Sequence, residues 1–374
     1  MSDDARWFTV GGDEVRLLRD GARALPAMME AIRGAKHEIL LEMYWIGADP
    51  VGARFVRALA DKARDGVTVR VVYDALGSLG VQPEFFQPIV QAGGKVHEYH
   101  PLLPIRPSFS LANLEQRDHR KVLVVDRTTG FTGGLNLASQ WAPVEEGGMG
   151  WRDDMIEVRG VAALELRTLF YKTWRRLAWE LSPPDLLPIR RSRGRPVYVL
   201  ATQRRSKRGI HREYVSRING ARRTIDIANS YFVPDGAVQK ALARASVRGV
   251  RIRVLLPERG DVPIVQIAQE ALYDRLLANG VELYVLPGPM MHAKTAIIDE
   301  AFVTIGIYNL DERSYRKNLE VNVAVEDRAF AQHVRRYFED DVARSTRLDI
   351  TTWRGRSVMR RGVERVALAL RRFW

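Results

Sequence analysis

The sequence predicts a duplicated α/β protein: two related α/β/α halves about a pseudo-twofold axis, with one active site at their interface. Three observations carry this. The pattern H-x-K-x4-D occurs twice, as His119-Arg120-Lys121-Val122-Leu123-Val124-Val125-Asp126 and as His292-Ala293-Lys294-Thr295-Ala296-Ile297-Ile298-Asp299. Each copy is followed at one fixed offset by an asparagine, Asn136 after the first and Asn309 after the second. Short β-branched runs alternate along the chain with segments of helical spacing, the pattern of layered α/β folds.

The repeat reaches well beyond the motifs. The run ending at Tyr44 has a counterpart ending at Tyr231. Residues 66–74 match 249–257, residues 92–99 match 278–285, and Gly133-Gly134-Leu135-Asn136 matches Gly306-Ile307-Tyr308-Asn309. The order is the same in both halves, which is the mark of an internal duplication. Between these blocks, Phe55, Val56, Leu59 and Ala63 recur at helical spacing, and 238–247 behaves likewise. The halves are therefore expected over 8–182 and 197–349. A Pro- and Arg-rich joint at 183–196 should be irregular, and a basic amphipathic tail occupies 350–374. The first half is longer between Gly94 and His119 than the second is between Gly280 and His292. The extra residues fall over 100–113, apolar and Pro-rich, and read either as a flap or lipid-contacting lip or as a surface loop.

Composition narrows the function classes. At 374 residues, with 46% hydrophobic and 28% charged residues, the chain is globular and long enough for two domains. It has no cysteine, which removes disulfides, thiolate metal sites and cysteine nucleophiles. The net charge of +13 predicts a polyanionic partner, either nucleic acid or an anionic membrane surface. The clusters at 190–195 and 204–208 are either a patch for anionic lipid or a solvated basic surface. No apolar run approaches the length of a spanning helix, and the N-terminus carries Asp3 and Asp4 where a signal peptide would be basic. The expected place is the cytoplasm, peripheral on the inner face of the cell membrane.

The motif types point to phosphate chemistry. Residues i and i+2 of a strand share a face, so each His–Lys pair should point one way. The apolar run after each Lys should anchor the strand in a buried sheet. Asp126 and Asp299 fall at the other parity near the strand ends, and are expected to brace a turn instead of touching substrate. Two imidazoles can serve as nucleophile and as general acid/base on phosphorus. Lys121, Lys294, Asn136 and Asn309 can hold non-bridging oxygens and the charge that builds there. Because lysine is not an ordinary metal ligand, the reading requires no metal and no cofactor. A histidine in this role needs an orienting carboxylate. Asp153 and Glu320 stand at matching places downstream, with Asp154 the alternative if the register slips by one. His37, His97, His100, His211 and His333 have no repeat partner and are taken as structural.

At these residues the chain resembles the phospholipase D superfamily, whose hallmark is the paired H-x-K-x4-D motif with G-[GS]-x-N after it. It looks most like bacterial cardiolipin synthases, through Phe131 to Asn136, Tyr231-Phe232-Val233-Pro234, Gly306 to Ser314, and Asn318-Leu319-Glu320-Val321-Asn322. The resemblance spans about residues 10–345. It departs at Ile307, where the family usually has Ser, and in having no N-terminal transmembrane helices, so it is similar to the shorter peripheral type. What the resemblance implies is a two-step transfer. A histidine, by analogy His119, takes a phosphatidyl group from phosphatidylglycerol and releases glycerol. A second phosphatidylglycerol then attacks the phosphatidyl-histidine, with His292 in acid/base work. The same resemblance allows a phospholipid hydrolase or a nuclease. The apolar insertion and the amphipathic tail, at 363, 366, 367 and 370 with Arg between, argue against nucleic acid and for lipid. A catalytically dead membrane-binding module is a further alternative, opposed by the completeness of both motifs.

Overall fold

The computed structural model describes residues 6–103, 109–110, 115–178, 180, 183–187, 194–202 and 209–370. Most of the insertion at 100–113, most of the two Arg clusters and the last four residues of the tail lie outside them.

Two eight-stranded sheets carry the fold, as the α/β duplication predicts. The first contains β1 (Phe8–Val10), β2 (Asp13–Arg19), β3 (Glu38–Met43), β4 (Thr68–Asp74), β5 (Lys95–Tyr99), β6 (Lys121–Val125), β7 (Thr129–Gly133) and β8 (Asp154–Arg159), in the order β1-β2-β8-β7-β6-β3-β4-β5. The second contains β9 (Val197–Ala201), β10 (Thr224–Asn229), β11 (Arg251–Pro257), β12 (Val281–Leu286), β13 (Lys294–Ile298), β14 (Phe302–Gly306), β15 (Val321–Glu326) and β16 (Thr346–Arg347), in the order β16-β12-β11-β10-β13-β14-β15-β9. Read in opposite directions, the orders coincide strand for strand from β2 to β5 and from β9 to β12. Each sheet adds one unrepeated edge strand, β1 or β16.

The helices are α1 (Asp20–Gly34), α2 (Pro50–Arg64), α3 (Gln87–Gln91), α4 (Val161–Ala178), α5 (Gly209–Gly220), α6 (Gly236–Val247), α7 (Pro263–Ala278), α8 (Glu312–Arg316), α9 (Arg328–Ala343), α10 (Ile350–Arg354) and α11 (Val358–Ala369). Local chemistry sets their starts. Asp49 caps α2 by accepting from the amides of Val51 and Gly52, with Pro50 at the first position. Asp235 and Asp327 cap α6 and α9. The helical spacing seen at 53–64 and 238–247 lies within α2 and α6.

Helices α2 and α3 separate the parallel strands β3, β4 and β5, and α6 and α7 separate β10, β11 and β12. Strands β3, β6 and β13 are buried along their whole length. That is why Ile39 to Leu41, Val122 to Val125 and Ala296 to Ile298 read as continuous apolar runs and not as alternating ones.

By contact the chain falls into two compact units that differ from the two halves of the sequence. One comprises 1–203 with 305–307 and 318–324; the other comprises 204–304, 308–317 and 325–374. The segment holding Glu320 therefore belongs with the first unit. Arg195, from the first Arg cluster, is tied to Asp13 at 2.6 Å and Glu165 at 3.1 Å and does not stand free in solvent.

Candidate active site

Both motifs place their lysine as the first residue of a central strand, Lys121 in β6 and Lys294 in β13. The histidine sits in the extended segment just before. Both ammonium groups are buried. Each folds back on its own histidine: Lys121 Nζ donates to the His119 carbonyl at 2.8 Å, and Lys294 Nζ donates to the His292 carbonyl. Lys294 also donates to Ser230 Oγ at 2.7 Å, and that hydroxyl lies 3.3 Å from Asn309 Oδ1. Asn136 Oδ1 accepts from the Trp45 amide at 3.1 Å. An ammonium anchored in this way is oriented before any ligand arrives.

The His119 ring faces a carboxylate. Its Nδ1 lies 3.1 Å from Glu320 Oε2, and the carboxylate is fully buried. A neutral imidazole beside an ionised carboxylate donates from Nδ1 and keeps its lone pair on Nε2. Tyr44 packs edge-on against His119 at 4.8 Å between centroids, and Lys121 Nζ lies 4.8 Å from the Tyr44 ring. The second motif repeats this more loosely. Tyr231 is edge-on to His292 at 6.1 Å, with Lys294 Nζ 5.6 Å from its ring. Neither tyrosine was singled out from sequence, although both stand at matched positions of the repeat.

Asp153 is wholly buried and accepts from the Trp141 indole at 2.8 Å and from the Asp154 amide at 2.8 Å. Asp154 is paired with Arg152 at 2.5 Å. The glycine before each asparagine is explained by approach. A Cβ on Gly133 would lie 2.3 Å from the Asp154 carbonyl, and one on Gly306 would lie 2.4 Å from the Val321 carbonyl. Ile307, the departure from the usual serine, donates its amide to the Val321 carbonyl at 3.1 Å, so the backbone there is satisfied without a hydroxyl.

The motif aspartates brace turns. Asp126 and Arg127 both have positive φ, as do Asp299 and Glu300, and the amides of Thr128 and Ala301 close the turns onto Val125 and Ile298. This is the type I′ hairpin that suits the twist of its strands. The Asp126 carboxylate accepts from the amides of Lys36 (2.7 Å), His37 (2.7 Å) and Glu38 (2.9 Å). Asp299 does the same for Arg222 (2.9 Å), Arg223 (2.7 Å) and Thr224 (3.1 Å). Each aspartate thus pins the motif hairpin to the entry of the neighbouring strand.

Burial alone would push Asp126 up, but these amides together hold it below the usual carboxylate range. A depressed folded-state value stabilises the fold above the unfolded-state value near pH 4, and that stabilisation is lost as pH falls through the folded value. Asp126→Ala should therefore cost about 2 kcal/mol at neutral pH, as expected for losing a charged acceptor. The deficit relative to wild type should shrink in acid. Urea unfolding at pH 7 and pH 3 checks both.

The histidines without a repeat partner are read as structural. Among them, His100 Nδ1 lies 2.7 Å from the Gln116 carbonyl, and His211 pairs with the capping Asp235 at 3.1 Å.

Two sheets of one strand order, each with a buried lysine folded onto its histidine and a buried asparagine from the following strand end, define a duplicated phospholipase D-type protein. The family described as cardiolipin synthase, PLD-like domain, matches residues 28–145 and 214–342, and the chain belongs to it. Cardiolipin synthase 1 of Bacillus anthracis is 30% identical over 360 residues, covering 93% of this chain and 70% of that protein. A Geobacillus cardiolipin synthase is 32% identical over 362 residues, covering 96% and 72%. Among solved structures, phosphatidylserine synthase of Haemophilus influenzae shares the fold at a TM-score of 0.72 and 13% identity, covering 99% of this chain and 95% of that one. Polyphosphate kinase of Porphyromonas gingivalis shares it at 0.63 and 16%, covering 90% and 49%.

Proposed function

We propose that the chain is a cardiolipin synthase that moves a phosphatidyl group from one phosphatidylglycerol to another through a phosphatidyl-histidine. The single observation that carries the mechanism is the His119–Glu320 pair, because it leaves the lone pair on the ring nitrogen that must attack. His119 Nε2 forms a bond to phosphorus, the phosphorus–oxygen bond to the glycerol headgroup breaks, and His292 gives the leaving oxygen its proton. In the second step His292 takes the proton from a hydroxyl of the second phosphatidylglycerol. That oxygen attacks phosphorus, and the nitrogen–phosphorus bond breaks. Lys121, Lys294, Asn136 and Asn309 hold the non-bridging oxygens through both steps, in place of a metal.

Labelled phosphatidylglycerol vesicles should yield cardiolipin and glycerol in equal amounts, in EDTA as well as without it. Phosphatidic acid as the main product would mean that water takes the place of the lipid hydroxyl, and cleavage of single-stranded DNA at a comparable rate would make the chain a nuclease. Loss of turnover in EDTA with restoration by one divalent ion would end the metal-free reading.

The membrane reading rests on α11. Among the described residues no helix is long and apolar enough to cross a membrane. Helix α11 packs on α7 with its polar side inward: Arg360 bonds Glu270 at 2.9 Å, Arg356 bonds Glu364, and Glu364 and Ala367 are buried. Its apolar side faces out, with Val358, Met359, Val363, Val366 and Leu370 exposed. A helix that presents its apolar face to solvent and carries Arg361 and Arg365 beside it suits an anionic bilayer surface at the inner face of the cell membrane. Each basic residue near such a surface adds about 1 kcal/mol. Val363→Asp with Val366→Asp should abolish sedimentation with phosphatidylglycerol vesicles and leave the melting temperature nearly unchanged, since neither side chain is packed. Unaltered sedimentation would show that this face is not the membrane contact.

A further inference from the structure

We propose that Thr202 is a positioning residue for His119, acting by gripping the main chain of Glu320. The inference rests on the reading of His119 as the attacking group.

Thr202 follows β9 and is fully buried. Its amide donates to the Glu320 carbonyl at 3.0 Å, and its hydroxyl accepts from the Glu320 amide at 2.6 Å and donates to the Asn318 carbonyl at 3.1 Å. On its other edge the same three-residue segment is bonded to the motif itself. The Leu319 amide donates to the Arg117 carbonyl at 3.0 Å, and the His119 amide donates to the Leu319 carbonyl at 3.1 Å. Asn318 to Glu320 is thus held between His119 and Thr202, which fixes the main chain from which the Glu320 carboxylate reaches the imidazole.

Thr202 is itself fixed from the motif. Its carbonyl accepts from Arg120 Nη2 at 2.8 Å. Arg120 Nη1 bonds Thr173 Oγ1 in α4 at 3.0 Å and Glu42 Oε1 in β3 at 3.3 Å. Asp118 adds its carboxyl to this buried group; burial and the neighbouring Glu42 push it well above the usual range. The residue between His and Lys in the second motif is Ala293, which can make no such bond. The Arg120 anchor therefore belongs to the first motif alone.

The duplication supplies an independent copy of the grip. Asp20 follows β2 as Thr202 follows β9, and Asp153 is the repeat equivalent of Glu320. The Asp20 amide donates to the Asp153 carbonyl at 2.9 Å, and Asp20 Oδ1 accepts from the Asp153 amide at 2.8 Å. In each half one residue thus grips both main-chain polar groups of the carboxylate residue, its amide donating to the carbonyl and its side-chain oxygen accepting from the amide. A threonine and an aspartate do the same task, so the shared element is the accepting oxygen and not the residue type.

The test is Thr202→Val, which keeps the branched shape and both backbone bonds but removes the acceptor of the Glu320 amide. We expect kcat to fall by about 10- to 100-fold with KM within about twofold, and Thr202→Ser to restore kcat to within about threefold of wild type. In protein with labelled histidine, the His119 Nδ1 proton resonance should broaden or move upfield in Thr202→Val and return in Thr202→Ser. Should valine prevent folding, Thr202→Ala removes the hydroxyl without adding a methyl and is read in the same way. A lower melting temperature with kcat and the Nδ1 resonance both intact would overturn the proposal and leave Thr202 a purely structural residue. The resonance reports on the grip whether or not cardiolipin is the product, so a wrong substrate and a wrong positioning role give different results.

Discussion

His119→Ala is expected to lower turnover of phosphatidylglycerol by roughly 10⁴-fold or more and to abolish the phosphatidyl-enzyme, because the bond to phosphorus is made by the atom removed. His292→Ala should fail differently. Without a proton donor the glycerol oxygen leaves poorly, but a substrate whose leaving group is already a stable anion needs no proton. That variant should therefore still load His119 from a p-nitrophenyl phosphodiester and then stall, since nothing activates the incoming hydroxyl. Mass spectrometry after an acid-free quench reads the adduct directly. Phosphatidyl on His292 in the wild-type protein would reverse the two roles.

The second large effect is at Glu320. Glu320→Gln keeps size and shape but offers an N–H where the carboxylate offered only acceptors. Facing Nδ1, that N–H selects the tautomer with its proton on Nε2, the wrong nitrogen for attack. We expect kcat to fall by about a hundredfold or more, as for orienting carboxylates of catalytic histidines generally, with KM little changed and the fold intact by circular dichroism. A variant that keeps more than half of wild-type kcat would remove Glu320 from the mechanism. Glu320→Asp, which preserves charge but shortens reach, should fall between the two.

Much of this was legible in the sequence because the signals are local. A buried strand announces itself as an apolar run, and two copies of one motif at one offset announce a repeat. Val122 to Val125 and Thr295 to Ile298 needed no tertiary information to be placed in sheets. The turn-bracing reading of Asp126 and Asp299 came from their parity and their place near the strand ends, and each carboxylate accepts from amides at the entry of the neighbouring strand. Alignment of the halves also found Asp153 and Glu320 as equivalents. It did not show which histidine a given carboxylate serves, and Glu320 lies 201 residues from the ring that it holds. Thr202 was invisible for a related reason: its task is done by main-chain bonds plus one hydroxyl, and its counterpart in the other half is an aspartate. The tail shows another limit. Periodicity placed apolar residues at 363, 366, 367 and 370, but only packing shows that Ala367 is buried beside Glu364 while the other three stay exposed.

The placement of residues 318–324 with the first unit has a consequence for cutting the chain. Splitting the reading frame at the joint near 190 would give a leading polypeptide that carries His119, Arg120 and Lys121 but neither Leu319 to pair with the histidine amide nor Glu320 to set its tautomer. Such a fragment would gain those groups only by capturing the trailing polypeptide.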